Sequence, residues 1–278
     1  MTYKVLITGG AGFVVANLVR RLEEAGYEVW IYDDLSRGSS QYLPSQERLL
    51  QGDIREREAL ISSMEGMDTI IHLAAFGSVV ESVSDPRPNF SINVSGTQNV
   101  LDSACSANVK QLIFASTGGA LIGEATPPVD ENSLPKPISP YGASKLCGEA
   151  YCHAYAKAFG LQTVCLRFAN VYGPYSAHKK GAATKFMKCL LTGEPMPIFG
   201  DGSASRDFLH VDDLCEGIVL ALGADVEPGD VFHLASGEET TILNLARTIA
   251  DIAGKPEHPI RFHPQRQAEV SRNFAKYD

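Results

Sequence analysis

The segment from residue 5 to residue 22 restricts the possible fold more than any other part of the sequence. A short apolar, β-branched run, Val5 to Thr8, precedes Gly9-Gly10-Ala11-Gly12, and Phe13 to Leu22 then carries apolar residues at helical spacing. A strand, a glycine turn and a helix in this order allow backbone N–H groups and a helix N-terminus to meet a pyrophosphate. We therefore expect a dinucleotide to bind here, in contact with Gly9, Gly12, Phe13 and Val14.

The second strand-like run, Glu28 to Tyr32, ends in Asp33-Asp34. An acidic residue about 20 residues beyond the glycines accepts hydrogen bonds from the ribose hydroxyls of an adenosine. Two carboxylates at this position would repel a 2′-phosphate, so the pair favours NAD over NADP. Two observations keep the assignment open: an aspartate here also suits the cap of the turn from Leu35 to Gly38, and Arg37 favours the opposite cofactor.

Strands and helices alternate along most of the chain. This predicts an α/β fold, a Rossmann-type doubly wound parallel sheet with right-handed crossovers. Ligands bind at the carboxyl ends of the strands in such a sheet, and we expect Asp53, Ile54, Leu73, Ala74 and Ala75 to contact the cofactor there. The further strand-like runs are Leu49–Ile54, Asp68–Ala75, Lys110–Ala115, Thr163–Phe168 and Val231–Ala235, and the long helical patterns are about Arg87–Ala107 and Tyr141–Phe159.

Two residues at these strand ends have alternative interpretations. Asp53 suits either an adenine amino group or the N-cap of a helix from Arg55 to Met64. His72 is a lone histidine at the end of a strand, and we interpret it as structural.

The regular alternation of strands and helices ends after Asn170. Turns, short strand-like runs and helices near 183–191 and 242–252 follow without repeating βα units. We predict that residues 1–170 with about 211–235 form the NAD-binding Rossmann domain. Residues of about 171–210 and 236–278 are predicted to form a small C-terminal lobe that binds the substrate.

Tyr141 and Lys145 are the predicted catalytic pair. Pro140 suits the first turn of a helix, and on that helix the two side chains, four residues apart, lie on the same face. An ammonium within about 4–6 Å lowers the pKa of a phenol by about 1–3 units, and an oxidised nicotinamide would lower it further. The pair would then act in proton transfer near neutral pH. Ser116-Thr117-Gly118-Gly119 places hydroxyls at the carboxyl end of a strand nearby.

The composition excludes several classes of partner. A net charge of −9 and a pI near 5.3 oppose binding to nucleic acid or to an anionic membrane, because both need a basic face. No apolar run approaches the roughly 18–20 residues of a membrane span. The six cysteines form no CxxC pair and no metal-ligand pattern with histidine, so we expect no metal site and a reducing compartment, the cytoplasm.

The order of these motifs along the whole chain resembles the extended short-chain dehydrogenase/reductase family, in its nucleotide-sugar epimerase/dehydratase branch, and is most similar to the UDP-hexose 4-epimerases. The resemblance implies a bound, recycled NAD and 4-epimerisation of a UDP-hexose through a transient 4-keto sugar. It rests on Thr8–Phe13, Asp33, Gly52–Ile54, His72–Ala75, Asn93–Thr97, Tyr141 with Lys145, Arg167–Pro174 and Arg206–Phe208.

The resemblance also implies individual roles. Tyr141 would take the proton of the sugar 4-hydroxyl, Lys145 would hold the nicotinamide ribose, and Thr117 or Ser116 would bond the 4-oxygen. Asn93 and Phe168 join the cofactor contacts. Asn170, Phe199, Arg206 and Arg266 would hold the nucleotide and its diphosphate, and Asn273 would set the room around C2 of the sugar. A homodimer formed through the helices at 87–107 and 141–159 is expected, as are roughly thirty further residues after Asp278.

The sequence departs from the pattern of the family at three places. Val15 replaces the third glycine of the turn, Ile122 stands where a tyrosine is frequent, and the Ser116–Gly119 loop has a glycine where many members carry the catalytic hydroxyl. Dehydratases of this branch follow the catalytic hydroxyl with an Asp-Glu pair, whereas the two residues after Thr117 are Gly118 and Gly119, which have no acid–base capacity. The alternatives to an epimerase are another enzyme of this branch, namely a 4,6-dehydratase or a reductase, and a catalytically silent NAD-binding regulator.

Overall fold

The computed structural model describes residues 2–37, 40–43, 48–266 and 270–276. Gly38, the last residue of the predicted turn after Asp34, lies outside them. The strands, in chain order, are β1 Lys4–Thr8, β2 Glu28–Asp33, β3 Leu49–Gln51, β4 Thr69–His72, β5 Gln111–Thr117, β6 Gln162–Phe168, β7 Asn170–Tyr172, β8 Met196–Phe199, β9 Ser205–Arg206, β10 Phe208–His210, β11 Asp230–Leu234, β12 Thr240–Thr241, β13 Ile260–His263 and β14 Arg272–Asn273.

The α-helices are α1 Phe13–Glu24, α2 Arg57–Met64, α3 Val79–Ser84, α4 Pro86–Phe90, α5 Thr97–Ser106, α6 Gly118–Ile122, α7 Pro140–Phe159, α8 Ala182–Thr192, α9 Val211–Ala221 and α10 Ile242–Ile252. Short 3-10 helices span Ser40–Tyr42 and Ser176–His178, and a π-helical turn spans Ser91–Gly96. Within the described ranges, no helix has the length and apolarity needed to cross a membrane.

Seven strands form one parallel sheet in the order β11-β6-β5-β4-β1-β2-β3. The order reverses between β1 and β4, which is where such a sheet opens a crevice for ligands. The strands are buried on both faces, as in β5, where every residue from Gln111 to Ser116 is buried, because helices cover the sheet on both sides. The predicted Rossmann-type doubly wound fold is confirmed.

Several predicted element ends move. β3 ends at Gln51 and β4 at His72, so the residues that follow them are loops at the carboxyl edge of the sheet. The predicted helix Arg87–Ala107 is helical, but its middle is the π-helical turn. α7 begins at Pro140 as predicted, with the Ser139 side chain accepting a hydrogen bond from Gly142 N.

The interpretation of His72 as a structural residue agrees with its surroundings. The ring is fully buried, and its nitrogens lie 2.7 Å from Thr8 Oγ1 and 2.9 Å from Thr97 Oγ1. Burial, with a smaller effect from the Lys145 charge, lowers the pKa of His72 to about 3. A neutral histidine therefore joins β1, β4 and α5 beneath the crevice.

Short sheets outside the central one hold the remaining strands. β10 pairs with β7, β12 and β14 flank β9, and β13 pairs with β8. A separate core packs α8 and α10 against β8, with Phe186, Ile198 and Ala246 among its buried residues. Arg206 and Asn273 are direct neighbours in the β9–β14 pairing, which brings two predicted substrate residues from distant parts of the chain together.

Candidate active site

A cleft of about 1020 Å³ runs along the carboxyl edge of the central sheet and faces β7, β9 and the start of α8. Its volume lies at the upper end of the range of about 300–1,000 Å³ that is usual for ligand pockets, so it has room for more than one ligand. Predicted residues that line it are Gly9, Gly12, Phe13, Val14, Asp33, Asp34, Asp53, Ile54, Leu73, Ala74, Ala75, Ser116, Thr117, Tyr141, Lys145, Phe168, Asn170, Arg206, Arg266 and Asn273.

The glycine turn has the conformation that the dinucleotide motif requires. Gly9 has φ +76°, and a Cβ there would lie 2.4 Å from Ala74 N, so only glycine fits between β1 and the loop after β4. No side chain caps the N-terminus of α1 at Gly12, which leaves its first N–H groups for an anion. Val15 is 1% exposed and packs into the core, so the departure from the motif is accommodated inside the helix–sheet interface.

The sequence left two roles open for Asp33 and Asp34, capping of the following turn and contact with a ribose. Asp34 Oδ1 accepts hydrogen bonds from Ser36 N and Oγ and therefore caps the turn. Asp33 accepts from Ala11 N at 3.0 Å and Leu35 N at 2.7 Å, which fixes its carboxylate between the glycine turn and the adenosine end of the cleft. Each oxygen has a second lone pair, so Asp33 still fits a ribose diol.

Asp53 is not the N-cap of the next helix. α2 begins at Arg57 with Glu56 at the N-cap, and Asp53 instead accepts from Arg55 N and from the Arg55 guanidinium. This ion pair lowers the pKa of Asp53. Asp53 lines the cleft beside Gly52 and Ile54, as the alternative prediction requires.

Tyr141 and Lys145 both face the cleft, but not with the predicted pKa relation. The Lys145 ammonium donates to Ala115 O at 2.7 Å and lies 4.8 Å from the centroid of the Phe114 ring. Burial lowers the pKa of Lys145 to about 8. Burial also raises the pKa of Tyr141 to about 12, which is opposite to the predicted direction, because removing the phenol from water disfavours its charged form.

The two candidate hydroxyls at the carboxyl end of β5 differ in their surroundings. Ser116 is buried and its Oγ donates to Glu149 Oε1 at 2.6 Å, while Arg167 forms a two-pronged ion pair with the same carboxylate. Thr117 is half-buried, faces the cleft and, within the part of the chain that the structure describes, has no side-chain hydrogen bond. The geometry therefore favours Thr117 over Ser116 as the group that touches substrate.

Gly118 and Gly119 leave room beside Thr117. A Cβ on Gly118 would lie 3.8 Å from the His233 ring, an ordinary contact, whereas one on Gly119 would lie 3.3 Å from Asn273 Oδ1. Asn273 is 6% exposed, and its Nδ2 has no hydrogen-bond partner among the described residues. A buried amide donor without a partner at the wall of a cleft indicates a ligand oxygen.

The substrate end of the cleft carries Arg206 and Arg266. Arg206 donates to Ser205 O at 2.7 Å. Arg266 lies over the Phe199 ring, 3.6 Å from its centroid, and the other close ring is His263, stacked at 5.3 Å. Phe199 does not line the cleft, so its observed contact is to Arg266 rather than to the cleft itself.

Asn93 also lies away from the cleft wall. Its Oδ1 accepts from Phe76 N at 2.7 Å, and its Nδ2 donates to Ser144 Oγ at 2.9 Å. The buried amide thus ties the loop after β4 to the helix that carries Tyr141. The contact of Asn93 with the cofactor stays a prediction.

Two lining segments were not predicted from the sequence. They are the loop and first turn from Phe76 to Glu81, and the stretch from His178 to Thr184. The first segment follows β4 and the second follows β7, two strands with carboxyl ends that face the cleft. This position after a strand is the signal in the sequence by which both segments could have been found. Side-chain carboxylates on the cleft wall are Asp33, Asp34, Asp53 and Glu81 among the described residues, and none comes from the loop after β5.

A model of the NAD dependent epimerase/dehydratase family matches residues 5–235, most of the chain. The chain belongs to this family. Membership of the NAD-dependent epimerase/dehydratase family confirms the resemblance found in the sequence and the predicted cofactor, NAD. The glycine turn, the uncapped start of α1 and the placement of Asp33 fit that dinucleotide.

Individual members of the family are similar over nearly the whole length. A UDP-glucose 4-epimerase of Mycolicibacterium smegmatis is 36% identical over 97% of this chain and 88% of that protein. The UDP-glucose 4-epimerase of Thermotoga maritima, solved with UDP-glucose, matches with a TM-score of 0.93 and 35% identity, covering 99% and 90% of the two chains. That of Thermus thermophilus, in complex with NAD, matches with a TM-score of 0.92 and 33% identity, covering 98% and 90%.

Proposed function

We propose that the chain catalyses NAD-dependent 4-epimerisation of a UDP-hexose of the UDP-glucose/UDP-galactose type. The observation that carries the proposal is the meeting of Tyr141, Lys145 and Thr117 in the same cleft as a dinucleotide turn and two arginines. The similarity to UDP-glucose 4-epimerases over the full length supports it.

Tyr141 is the proposed acid–base group. NAD, when bound by Gly9, Gly12 and Asp33, supplies a reversible hydride acceptor. Tyr141 takes the proton of the sugar 4-hydroxyl and later returns it. To do so, its phenol needs a pKa below the value of about 12 to which burial raises it. Lys145 is the cation of this chain on the same helix face, and positive charge beside the phenol is what lowers its pKa.

Thr117 is the proposed partner of the 4-oxygen. Its backbone is extended at the end of β5, so the hydroxyl points from the sheet edge toward the cleft. A donor fixed before the reaction stabilises charge that develops on a substrate oxygen. Ser116 is instead proposed to position the loop through Glu149.

Arg206, Arg266 and Asn170 are the proposed nucleotide and diphosphate contacts. Guanidinium groups suit a diphosphate because each donates two parallel hydrogen bonds. Phe199 would hold Arg266 by its ring face, a cation–π contact. In this proposal residues 1–170 with about 211–235 bind NAD, and about 171–210 with 236–278 bind the nucleotide sugar.

Asn273 is proposed to contact the sugar ring. Its unpartnered Nδ2 would donate to a substrate oxygen near C2, and its small size beside Gly119 leaves room for a substituent there. This favours tolerance of an N-acetyl group at C2 in addition to a hydroxyl.

Elimination of water is less well supported than epimerisation. A dehydratase needs acid–base groups next to the catalytic hydroxyl, and here the neighbours are Gly118 and Gly119. The carboxylates on the described cleft wall lie toward the cofactor end, and Glu81 is already paired with Arg37 and Lys180.

We further propose a homodimer in the cytoplasm. Exposed apolar residues lie on α3, α4 and α7, among them Val83, Phe90, Tyr151 and Phe159. Tyr151, Tyr155 and Phe159 form a row of neighbouring rings on α7. All six cysteines are free, in accord with a reducing compartment.

The function is tested by incubating the purified protein with UDP-glucose, UDP-N-acetylglucosamine or UDP-glucuronate and identifying the 4-epimer by NMR. We expect a 4-epimer from at least one sugar without consumption of added NAD. Tyr141→Phe should lower the rate about 10²–10⁴-fold, the usual range for loss of an acid–base group. Tyr151→Phe, on the exposed side of the same helix, is the matched control and should keep the rate.

Absence of a 4-epimer from all three sugars would disprove the epimerase proposal. Near-full activity of Tyr141→Phe would disprove the assigned mechanism while leaving the reaction in place.

A further inference from the structure

The loop between β7 and α8 is held in a defined shape at the cleft. Ser176 Oγ donates to Gly173 O at 2.7 Å, Lys179 N donates to Ser176 O at 2.9 Å, and Thr184 Oγ1 lies 3.4 Å from the same oxygen. These bonds fix the backbone of the segment that carries two consecutive lysines.

Lys180 is joined to the cofactor side of the cleft. Its ammonium lies 2.5 Å from Glu81 Oε1, and Glu81 Oε2 lies 2.9 Å from the Arg37 guanidinium. Arg37 also lies 4.0 Å above the Phe76 ring. Arg37 is the residue of the sequence that favours NADP. In the structure it pairs with Glu81 and lies over the Phe76 ring.

Lys179 takes no part in that ion pair. Its backbone is extended, with φ −70° and ψ 152°. Lys180 is held by Glu81, and Lys179 beside it forms part of the cleft wall.

Across the ranges that the structure describes, the Lys179 ammonium has no ion pair or hydrogen bond. The side chain is exposed on the wall of the cleft. A lysine ammonium without a protein partner on a cleft wall is a suitable donor to an anionic group of a ligand.

We propose that Lys179 binds a diphosphate oxyanion of a nucleotide in this cleft. The inference rests on the proposed function, which places two diphosphates here, one in the cofactor and one in the substrate. Lys179 stands between them, since Lys180 pairs with Glu81 on the cofactor side and the chain continues directly into the start of α8, where Ala182 and Ala183 line the cleft.

The test compares Lys179→Met with Lys185→Met. Lys185 is an exposed lysine of α8 that pairs with Glu194, so its loss changes net charge equally without touching the cleft wall. Calorimetry measures the binding of UDP, uridine, UDP-glucose and UDP-glucuronate, and the bound NAD of each purified protein is quantified. Lys179→Arg, which keeps the charge, should restore whatever Lys179→Met loses.

We expect Lys179→Met to weaken UDP binding about ten-fold while uridine binding changes less than about two-fold, the effect of one charge-assisted hydrogen bond. This outcome assigns the lysine to the substrate diphosphate. A comparable loss of bound NAD with unchanged UDP affinity assigns it to the cofactor pyrophosphate.

Unchanged UDP and NAD binding in Lys179→Met overturns the proposal, as does equal weakening of UDP and uridine. A loss confined to UDP-glucuronate relative to UDP-glucose also overturns it, because the partner would then be a sugar carboxylate. If the unmodified protein binds no UDP, the proposed function fails, and the NAD measurement alone decides on Lys179.

Discussion

Lys145 illustrates how a proposed catalytic residue is kept at the expense of the stability of the folded chain. Its side chain is 4% exposed, and one carbonyl, Ala115 O, accepts its hydrogen bond. A charged ammonium in this environment favours losing its proton, which is why burial lowers the pKa to about 8. The folded chain therefore bears an unfavourable charge at neutral pH until a ligand shares it.

Lys145→Met should stabilise the nucleotide-free protein at low pH. Below the folded pKa of about 8 both folded and unfolded lysine are protonated and the cost of burial is complete, on the order of 3 kcal/mol, reduced by about 1 kcal/mol for the unpaired Ala115 O. From about 8 to 10.5 only the unfolded state stays protonated, so the unmodified protein gains stability with pH. Urea unfolding at about pH 6 and pH 10 measures the difference, which should shrink as pH rises.

Lys157→Met, an exposed change on the same helix, should show no such pH dependence. A difference between Lys145→Met and the unmodified protein that stays constant across the pH range would contradict the buried charge.

Single residues mark where sequence reasoning reached its limit at the site. The pattern placed Thr117, Asp33 and Tyr141 at the cleft correctly, because strand ends and helix spacing determine those positions. It could not choose between Ser116 and Thr117, since that choice depends on Glu149, 33 residues later in the chain. It gave no sign that the Asn93 amide joins two elements that only tertiary structure brings together, and the contact of Asn93 with the cofactor stays a prediction.

The packing of α7 on the sheet positions the proposed catalytic pair, Tyr141 and Lys145. Gly148 allows the approach, because a Cβ there would lie 2.3 Å from Phe114 Cζ. The same Phe114 ring lies under the Lys145 ammonium. The contact between Gly148 and the Phe114 ring therefore determines how closely α7 approaches β5, and with it the position of the Lys145 ammonium.

Gly148→Ala should destabilise the protein by about 1–3 kcal/mol, the usual cost of overpacking a core, and should lower activity by displacing Lys145. Urea unfolding together with the epimerisation assay measures both effects. In the double variant Gly148→Ala with Phe114→Leu, the smaller side chain should recover part of the stability. Additive losses in the double variant would show that the clash with Phe114 is not the cause.

The long elements could be predicted and the short ones could not. β1, α1, β5 and α7 carry continuous periodic patterns that dominate local preference. The strands β9, β12 and β14 have two residues each, too few for a pattern, and they exist because the chain returns to pair with them. The π-helical turn at Ser91–Gly96 likewise has no sequence signal in a run that otherwise reads as helix.

At the scale of the whole molecule, the exposed apolar faces of α4 and α7 are the basis of the proposed dimer. Phe90 is 61% and Phe159 66% exposed, large aromatic areas for a surface without a partner. Phe90→Lys with Tyr151→Lys should convert the proposed dimer to a monomer, because a buried unpaired charge opposes the interface. Sedimentation velocity measures the change.

Ile252→Lys is the matched control, since Ile252 is also exposed but lies on α10, away from the proposed interface. It should leave the dimer intact. A monomeric unmodified protein, or an unchanged dimer in the double variant, would contradict this interface.

The pairing of β9 with β14 also sets an order of assembly on the ribosome. The strands β1 to β6 are complete once Phe168 has been made, but Asn273 beside Arg206 follows about 105 residues later. At a translation rate of about 5–20 residues per second this is a delay of roughly 5–20 s. During that interval the glycine turn, Asp33 and Tyr141 have been synthesised, but the strand that completes the substrate side of the cleft has not. The nascent chain can therefore bind its dinucleotide before the nucleotide-sugar side is built.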